Sequence, residues 1–297
     1  MATIVVDARY LRTSSGRYGE RLLHYLQQID TTHDYRVLLK PKDVDSWKPT
    51  NPRFTVVPCP FKEFTFAEQL GMLKFIKNQH ADLVHFTFVQ QPVMYRATVV
   101  TTMQDLTMTR FHDYTKNASM YWVKQQVYKL VNKYVARKSA ALITPTDFVR
   151  HDVANYCRVS PHKITVTHEA ADKITDKPQP VAAVKKLLDK HGRFILYVGR
   201  PDAHKNLDRL VAAFSQLRRD SPHLYLVLAG RNDAQYEELQ QFAKTRTDGV
   251  IFTDFVSDGQ LRWLYEQAAV YAFPSLSEGF GLPPLEAIRE ACLVRFR

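Results

Sequence analysis

The 297-residue chain lacks several features that assign a sequence to a simple class. Its three cysteines show no C-x-x-C spacing, so neither a disulfide framework nor a zinc site is indicated. No apolar run approaches the roughly 18 residues that a membrane-spanning helix needs. No G-x-G-x-x-G motif follows the first strand-like segment, which argues against a dinucleotide-dependent dehydrogenase. These absences favour a globular protein of the cytoplasm.

Positive charge is concentrated in the first half of the chain. The formal net charge is +11; residues 1–172 carry 23 lysines and arginines against 15 acidic residues, and residues 173–297 carry 18 against 15. A basic half suits an acidic partner such as nucleic acid, anionic lipid headgroups or a phosphorylated acceptor, although solubility alone explains it equally well. No helix-turn-helix, RNP-like or zinc element accompanies the charge, so we expect no nucleic-acid partner.

Short runs rich in Val, Ile and Leu alternate with helical patterns along most of the chain. Such strands are buried on both faces, which predicts parallel sheets covered by helices. The segment DKITDKPQPVAAVKKLLDKHG interrupts the alternation with two prolines and several charges, and we interpret it as a linker. The sequence therefore predicts two doubly wound α/β domains, residues 1–172 and 173–297. Ligands of such sheets bind beyond the carboxyl ends of the strands, so the cleft between the domains is the expected site.

The segment SEGFGLPPLEA follows the predicted strand VYAFPS. Gly279 and Gly281 permit a tight turn, and Pro284 suits the first turn of a helix. The amino end of a helix presents unpaired N–H groups and favours phosphate. Glu278 and Glu286 flank this turn, and carboxylates accept paired hydroxyl donors, so a sugar and a ribose are sensible ligands. An ordinary helix start is the alternative interpretation.

A second strand-turn-helix segment, LYVGRPDAHKNLDRL, carries two cations after its strand. Arg200 leaves the predicted strand, and Lys205 precedes the predicted helix. An arginine that binds in a bidentate way and a lysine that acts as a point charge suit a diphosphate. Basic residues are common in such loops, so this segment indicates a diphosphate site only in combination with the glutamate motif.

Taken in order, GRPDAHKN, LVLAG and FTDFVSDGQLRWLYEQAAVYAFPSLSEGFGLPPLEA resemble the group 1 (family 4) retaining glycosyltransferases of GT-B fold. The segments SSGRYGERLLHYL, ADLVHFT, VVTTMQDLT and ITPTDFVRHDV resemble the family's N-terminal half more loosely. The resemblance implies two Rossmann-like domains that face a cleft, with the acceptor on the N-terminal one. It also implies transfer of a mannose-type or glucose-type hexose from a nucleotide-diphosphate sugar to a glycan or lipid-linked acceptor, in cell-surface polysaccharide synthesis. Neither a metal nor a cofactor is implied.

The same resemblance implies a role for residues at matching positions. Glu278 would hold hydroxyls of the donor sugar, and Glu286 would hold the ribose. Arg200 and Lys205 would neutralise the diphosphate and stabilise charge on the leaving nucleotide, as a metal does in other transferases. The remaining donor contacts implied are backbone contacts and close approaches, at Gly16, Gly199, Phe280, Gly281 and Leu282.

One pair departs from the family pattern. Members usually carry His-Asp after the middle strand, where this chain has Gln104 and Asp105. We place both in the catalytic set by position. Glutamine donates and accepts hydrogen bonds but does not titrate. A catalytically impaired, GT-B-like protein that binds a nucleotide-sugar, or a non-functional fragment, is therefore the alternative function.

The final segment, AIREACLVRFR, is a second departure. Relatives continue after the second glutamate with a further βαβ segment and a terminal helix. We therefore expect a C-terminal domain that is truncated and incomplete, with an exposed sheet edge.

The predicted helix from Ser119 to Lys138 carries an apolar stripe and a basic stripe. Lys129, Lys133 and Arg137 form the basic stripe. This pattern suits peripheral contact with an anionic membrane, which would place the protein at the inner face of that membrane. Packing of the apolar stripe on the sheet is the alternative. The apolar residues are Met120, Val123, Val127, Leu130, Val131 and Tyr134.

Overall fold

A computed structural model of the chain describes residues 1–11, 16–111 and 118–296, without the side chains of 118–121. It divides into two compact units. The first unit is Met1–Thr109 with Asn117–Glu169, and the second is Arg110–Lys116 with Ala170–Arg297. Apart from the short segment Arg110–Lys116, the boundary between the units lies between Glu169 and Ala170. The domain prediction put it after residue 172.

A seven-stranded sheet organises the first unit, in the order β3-β2-β1-β4-β5-β6-β7, and every neighbouring pair is parallel. The strands are β1 (Thr3–Asp7), β2 (Asp34–Leu39), β3 (Phe54–Pro58), β4 (Leu83–Phe86), β5 (Val99–Thr102), β6 (Ala141–Thr144) and β7 (Ile164–Val166).

Helices cover both faces of this sheet. Successive side chains of a strand point to opposite faces, so Val5 packs with Met72 and Ile76, whereas Val6 packs with Leu23 of the first helix. A π-helical turn, Glu68–Met72, leads into the second helix. The helices are α1 (Arg17–Ile29), α2 (Leu73–Lys77), α3 (Thr107–Arg110), α4 (Ala118–Lys138) and α5 (Asp147–Cys157).

The second unit contains a five-stranded parallel sheet in the order β10-β9-β8-β11-β12. Its strands are β8 (Arg193–Val198), β9 (Leu224–Ala229), β10 (Val250–Phe252), β11 (Val270–Phe273) and β12 (Val294–Phe296). Its helices are α6 (Ala182–Leu188), α7 (Leu207–Asp220), α8 (Ala234–Arg246), α9 (Asp258–Gln267) and α10 (Leu282–Arg289).

Strand β8 lies at the centre of this sheet and shows why the unit has two cores. Phe194 and Leu196 pack against α6, α9 and α10, whereas Tyr197 packs against α7 and α8. The central strand is therefore buried on both faces, as its unbroken apolar sequence predicts.

Two details of the second unit correct the sequence prediction. The segment interpreted as a linker contains α6, because Val184 and Leu187 are buried in the core despite the neighbouring prolines and charges. The last residues form β12, which pairs with β11 through Tyr271 opposite Val294. A three-residue strand is too short to show a periodic pattern in the sequence.

A buried ionic network joins the carboxyl end of β1 to the π-helical turn. Arg9 lies 2.8 Å from the Asp7 carboxylate and 2.9 Å from the Glu68 carboxylate, and all three side chains are buried. Arg9 also donates to the backbone oxygen of Phe61 in the loop after β3. Because buried charges need partners, this network holds that loop in one position.

Because His85 of β4 is buried, we expect the free energy of unfolding to depend on pH. Burial lowers the pKa of its imidazole to about 4, and Nε2 lies 2.8 Å from Thr102 Oγ1. The pKa in the unfolded chain is about 6.5, so the unfolded state binds the proton first as the pH falls. The contribution of neutral His85 is therefore present above about pH 6.5 and is lost progressively towards about pH 4, for a total of about 3 kcal/mol.

Urea unfolding of the wild type and of His85→Gln across this pH range measures the effect. We expect the free energy of unfolding of the variant to fall less between neutral and acidic pH. Parallel pH profiles of the two proteins would contradict the assignment.

Candidate functional site

Most of the predicted donor residues lie in two loops at the carboxyl ends of strands in the second sheet. One loop follows β8 and leads to α7, and the other follows β11 and leads to α10. Because β8 and β11 are parallel neighbours, both loops leave the sheet at the same edge. The topology therefore brings together segments that are far apart in the sequence.

Two hydrogen bonds hold these loops to each other. The backbone N–H of Leu276 donates to the backbone oxygen of His204 at 2.7 Å. Asn206, in a left-handed conformation, donates from its side chain to the backbone oxygen of Pro274 at 3.1 Å. The relative position of the loops is thus set by one backbone hydrogen bond and by one hydrogen bond from the Asn206 side chain.

The structure brings Lys205 and Glu278 into direct contact. Lys205 Nζ lies 2.6 Å from Glu278 Oε1, and each side chain keeps about a fifth of its surface exposed, 19% and 23%. The same Nζ lies 5.9 Å from the centre of the Phe273 ring. A cation and a hydroxyl acceptor are therefore adjacent and reachable from solvent.

Arg200 points elsewhere. Its side chain is 57% exposed, and its guanidinium reaches Asp233 and Gln235 near the amino end of α8, each at 3.4 Å. The predicted convergence of Arg200 with Lys205 is thus not seen in this conformation. Long, exposed contacts of this kind contribute little stability, so the side chain can turn towards an anion at low cost.

Three tyrosine hydroxyls fix the backbone of the β8 turn. Tyr271 donates to the backbone oxygen of Val198 at 3.3 Å, Tyr236 to that of Gly199 at 2.7 Å, and Tyr197 to that of Arg200 at 3.1 Å. Burial raises the pKa of all three hydroxyls, so they remain protonated donors. The sequence analysis missed these tyrosines, since their positions give no local motif.

The EGFGLP segment forms the start of α10 as predicted. The helix begins at Leu282, and Gly281 precedes it with φ +89°, a conformation that favours glycine. Glu286 lies one turn into the helix and is 5% exposed. Its Oε2 accepts a hydrogen bond from the Tyr265 hydroxyl at 3.2 Å. The ribose role of Glu286 and the backbone roles of Phe280, Gly281 and Leu282 stay predictions.

The remaining predicted residues belong to the first unit. Gly16 precedes α1, and a Cβ at this position would collide with the backbone oxygen of Tyr10. Asp105 Oδ1 accepts a hydrogen bond from the Thr107 N–H at 2.8 Å, at the start of α3, a structural role that the sequence analysis did not foresee. Gln104 Nε2 is buried without a hydrogen-bond partner among the described residues. Catalytic roles for Gln104 and Asp105 stay predictions.

In the part of the chain that the structure describes, no cluster of three or more His, Cys, Asp or Glu side chains is arranged to hold a metal ion. Metal independence stays a prediction. No described helix combines the length and the apolar character needed to cross a bilayer.

Two parallel sheets covered by helices define the class of doubly wound α/β proteins, which bind their ligands beyond the carboxyl ends of the strands. Residues 16–173 match a family model described as Glycosyltransferase Family 4, and residues 179–294 match one described as Glycosyl transferases group 1. The first match covers more than half of the chain. The chain belongs to the group 1 (family 4) glycosyltransferases.

Two curated relatives are named mannosyltransferases. Serotype-specific mannosyltransferase WbdA of Escherichia coli is 32% identical over 166 residues, which cover 52% of this chain and 19% of WbdA. O-antigen chain mannosyltransferase RfbU of Salmonella typhimurium is 25% identical over 230 residues, which cover 77% of this chain and 60% of RfbU. The chain thus spans less than two thirds of the length of these relatives.

Solved structures show the same fold. Sucrose-phosphate synthase from Thermosynechococcus elongatus superimposes with a TM-score of 0.71 at 18% identity, over 100% of this chain and 81% of the synthase. Anabaena Alr3699/HepE, solved in complex with UDP and glucose, gives 0.69 at 16% identity, over 99% of this chain and 80% of HepE. These similarities confirm the predicted GT-B fold.

Gly199 provides a test of the β8 turn. Its φ is +141°, and a Cβ there would lie 3.0 Å from the Tyr197 hydroxyl. We expect Gly199→Ala to lower the free energy of unfolding by about 1–3 kcal/mol, because the backbone is strained for any residue with a side chain. Urea unfolding measures this loss.

Gly19 in α1 is the matched control. A Cβ at Gly19 would meet its nearest neighbour at an ordinary 3.6 Å, so Gly19→Ala should be neutral or stabilising. Equal effects of the two substitutions would contradict a strained turn at Gly199.

Proposed function

We propose that this chain is a retaining, metal-independent glycosyltransferase that moves a mannose-type or glucose-type hexose from a nucleotide-diphosphate sugar to a glycan or lipid-linked acceptor. The setting is cell-surface polysaccharide synthesis. The observation that carries the proposal is the contact between Lys205 and Glu278, 73 residues apart in the sequence, at the carboxyl edge of the second sheet. It puts a cation for a diphosphate beside an acceptor for sugar hydroxyls.

Known relatives support the choice of donor. WbdA and RfbU are named mannosyltransferases, and HepE was solved with UDP-glucose as well as with UDP and glucose. The proposal therefore names a nucleotide-diphosphate hexose as the donor class and leaves the base to be measured.

Lys205 has the central role in the proposed chemistry. A diphosphate that enters beside its ammonium group competes with Glu278 for that cation, and the released carboxylate then accepts hydroxyls of the sugar. Arg200 turns from its exposed contact with Asp233 and adds a second positive charge. These cations stabilise the charge that develops on the leaving nucleoside diphosphate, the task that a metal ion performs elsewhere.

The amino end of α10 provides a further donor. Pro283 and Pro284 carry no N–H. The Leu282 N–H has no carbonyl one turn back in its own helix, so it favours an anion at this position. Glu286 accepts ribose hydroxyls in this proposal, alongside or in place of its bond from Tyr265.

Retention of configuration follows if the acceptor hydroxyl attacks the anomeric carbon on the face that the nucleotide leaves. The bond from that carbon to the phosphate oxygen breaks, and the bond to the acceptor oxygen forms. The acceptor proton passes to the departing phosphate oxygen, so the charge on the leaving group is partly neutralised.

A lipid-linked acceptor lies at a membrane surface. We therefore propose that this protein is cytoplasmic and makes peripheral contact with an anionic bilayer.

A protein that binds a nucleotide-sugar without turnover is the second candidate. It is favoured by Gln104, whose amide cannot titrate and whose buried Nε2 lacks a partner among the described residues. Only the first candidate transfers sugar, so a turnover assay distinguishes the two functions.

The test combines nucleotide binding with turnover on the same purified chain. We expect UDP, GDP or ADP, and the matching sugar conjugates, to raise the unfolding temperature, with one base preferred. Glu278→Gln should keep nucleotide binding and lose about 100-fold or more in turnover, because an interaction with the reacting sugar is removed. Lys205→Met should weaken both.

Glu238→Gln is the matched control, since Glu238 is an exposed carboxylate on α8. It should change neither binding nor turnover. Nucleotide stabilisation without any sugar transfer or donor hydrolysis would support the second candidate. Stabilisation by no nucleotide would contradict both.

A further inference from the structure

The outer face of α4 is apolar. Val123, Val127, Leu130 and Tyr134 recur at helical spacing, and each is exposed, Leu130 to 67% and Val127 to 55%. Trp122, beside this stripe, is 59% exposed. We call these five residues the α4 outer face. The Met120 side chain of the predicted stripe lies outside the described residues.

The inner face of α4 is partly polar. Gln125 and Asn132 are buried together with Val135 and Ala136, and Val131 packs against the same core. A surface helix normally points its apolar residues to the core and its polar residues to water. The sequence left open whether the apolar stripe packs on the sheet, and the structure shows that most of it does not.

Basic side chains flank the α4 outer face. The helix Ala118–Lys138 contains no acidic residue, and Lys124, Lys129, Lys133 and Arg137 lie along it. Lys133 Nζ lies 4.9 Å from the centre of the Tyr156 ring, and Arg137 Nε donates to the backbone oxygen of Cys157 at 3.1 Å, so both are anchored beside the neighbouring helix α5.

We propose that α4 lies in the plane of an anionic lipid surface, with its outer face among the acyl chains and its cations among the headgroups. An apolar stripe bordered by lysine and arginine is the pattern of an interfacial helix. An exposed tryptophan and tyrosine add side chains that favour the boundary between lipid and water. The surrounding region is basic as well, since residues 1–172 carry 23 lysines and arginines against 15 acidic residues.

A second copy of the chain fits this face less well. In a symmetric dimer the same patch contacts itself, so the apolar stripes would meet with lysines and arginines on both sides. Like charges brought together in this way oppose association, and α4 offers no carboxylate to compensate them. An anionic bilayer satisfies both the apolar stripe and its basic border.

This inference deepens the proposed function, because a transferase with a lipid-linked acceptor must reach the membrane plane. The surface itself is defined by exposure and charge and lies in the first unit, whereas the donor residues Lys205 and Glu278 lie in the second. An experiment can therefore contradict the lipid-binding surface on α4 without contradicting the donor site, and the reverse.

Vesicle flotation of the full chain tests the lipid surface. We expect the chain to float with vesicles of phosphatidylglycerol and phosphatidylcholine and to float poorly with phosphatidylcholine alone. Trp122 emission should shift to shorter wavelength on binding. Trp122→Phe should remove most of that shift, because Trp47 is buried and Trp263 packs against the core of the second unit.

Two double variants separate the apolar contribution from the electrostatic one. Val127→Ser with Leu130→Ser should weaken vesicle binding on the order of a hundredfold, since two apolar side chains no longer leave water. Lys124→Gln with Lys133→Gln should weaken it about thirtyfold and reduce its sensitivity to salt. Val127, Leu130 and Lys124 are exposed, and Lys133→Gln removes one contact with the Tyr156 ring. The variants should therefore unfold close to the wild-type temperature.

Matched controls lie on the second unit. Leu217→Ser with Phe255→Ser removes exposed apolar side chains elsewhere, and Lys185→Gln with Lys186→Gln removes exposed charges elsewhere. Both should float like the wild type.

Absence of binding to anionic vesicles, or binding that survives the Val127/Leu130 variant, overturns the inference. A self-associated chain that becomes monomeric in that variant, without lipid, also overturns it in favour of a dimer contact. Nucleotide stabilisation measured on the same samples reports on the donor site alone, so loss of the membrane result leaves the proposed function standing.

Discussion

Because β8 and β11 pair in parallel at the centre of the second sheet, the loops that follow them leave the same edge side by side. The remaining features of the candidate site depend on this pairing. It allows Leu276 to donate to His204 and brings Lys205 to within 2.6 Å of Glu278. In a parallel sheet the loops after neighbouring strands lie at the same end, so chain segments far apart in the sequence come into contact there.

In both units, buried side chains form hydrogen bonds with the backbone oxygens of loops. In the second, buried tyrosine hydroxyls satisfy the carbonyl oxygens of Val198, Gly199 and Arg200 and hold a strained glycine turn. In the first, buried Arg9 joins two carboxylates and a loop carbonyl. Satisfied buried networks rigidify their surroundings. The Arg200 side chain, by contrast, is exposed and makes only long contacts.

Sequence patterns predicted the two α/β units. Buried parallel strands have continuous apolar sequences, and each strand-turn-helix motif lies within one short segment. They also placed Lys205, Glu278 and Gly281 at one sheet edge. They missed the tyrosines around β8, the helix α6 and the short strand β12, since these depend on contacts between distant residues or on very few residues. Helical spacing found the stripe on α4, but only burial distinguishes a core face from an outer one.

The central claim is that a nucleotide-diphosphate sugar binds between the β8 loop and the start of α10. Hydrogen–deuterium exchange of the full chain, with and without the preferred nucleoside diphosphate, tests it most directly. The account predicts slower exchange in residues 199–206 and 275–283 when the nucleotide is bound, with the far edge of the sheet at β10 unchanged. Bound nucleotide that leaves both loops unprotected, or that protects a different surface, would contradict it.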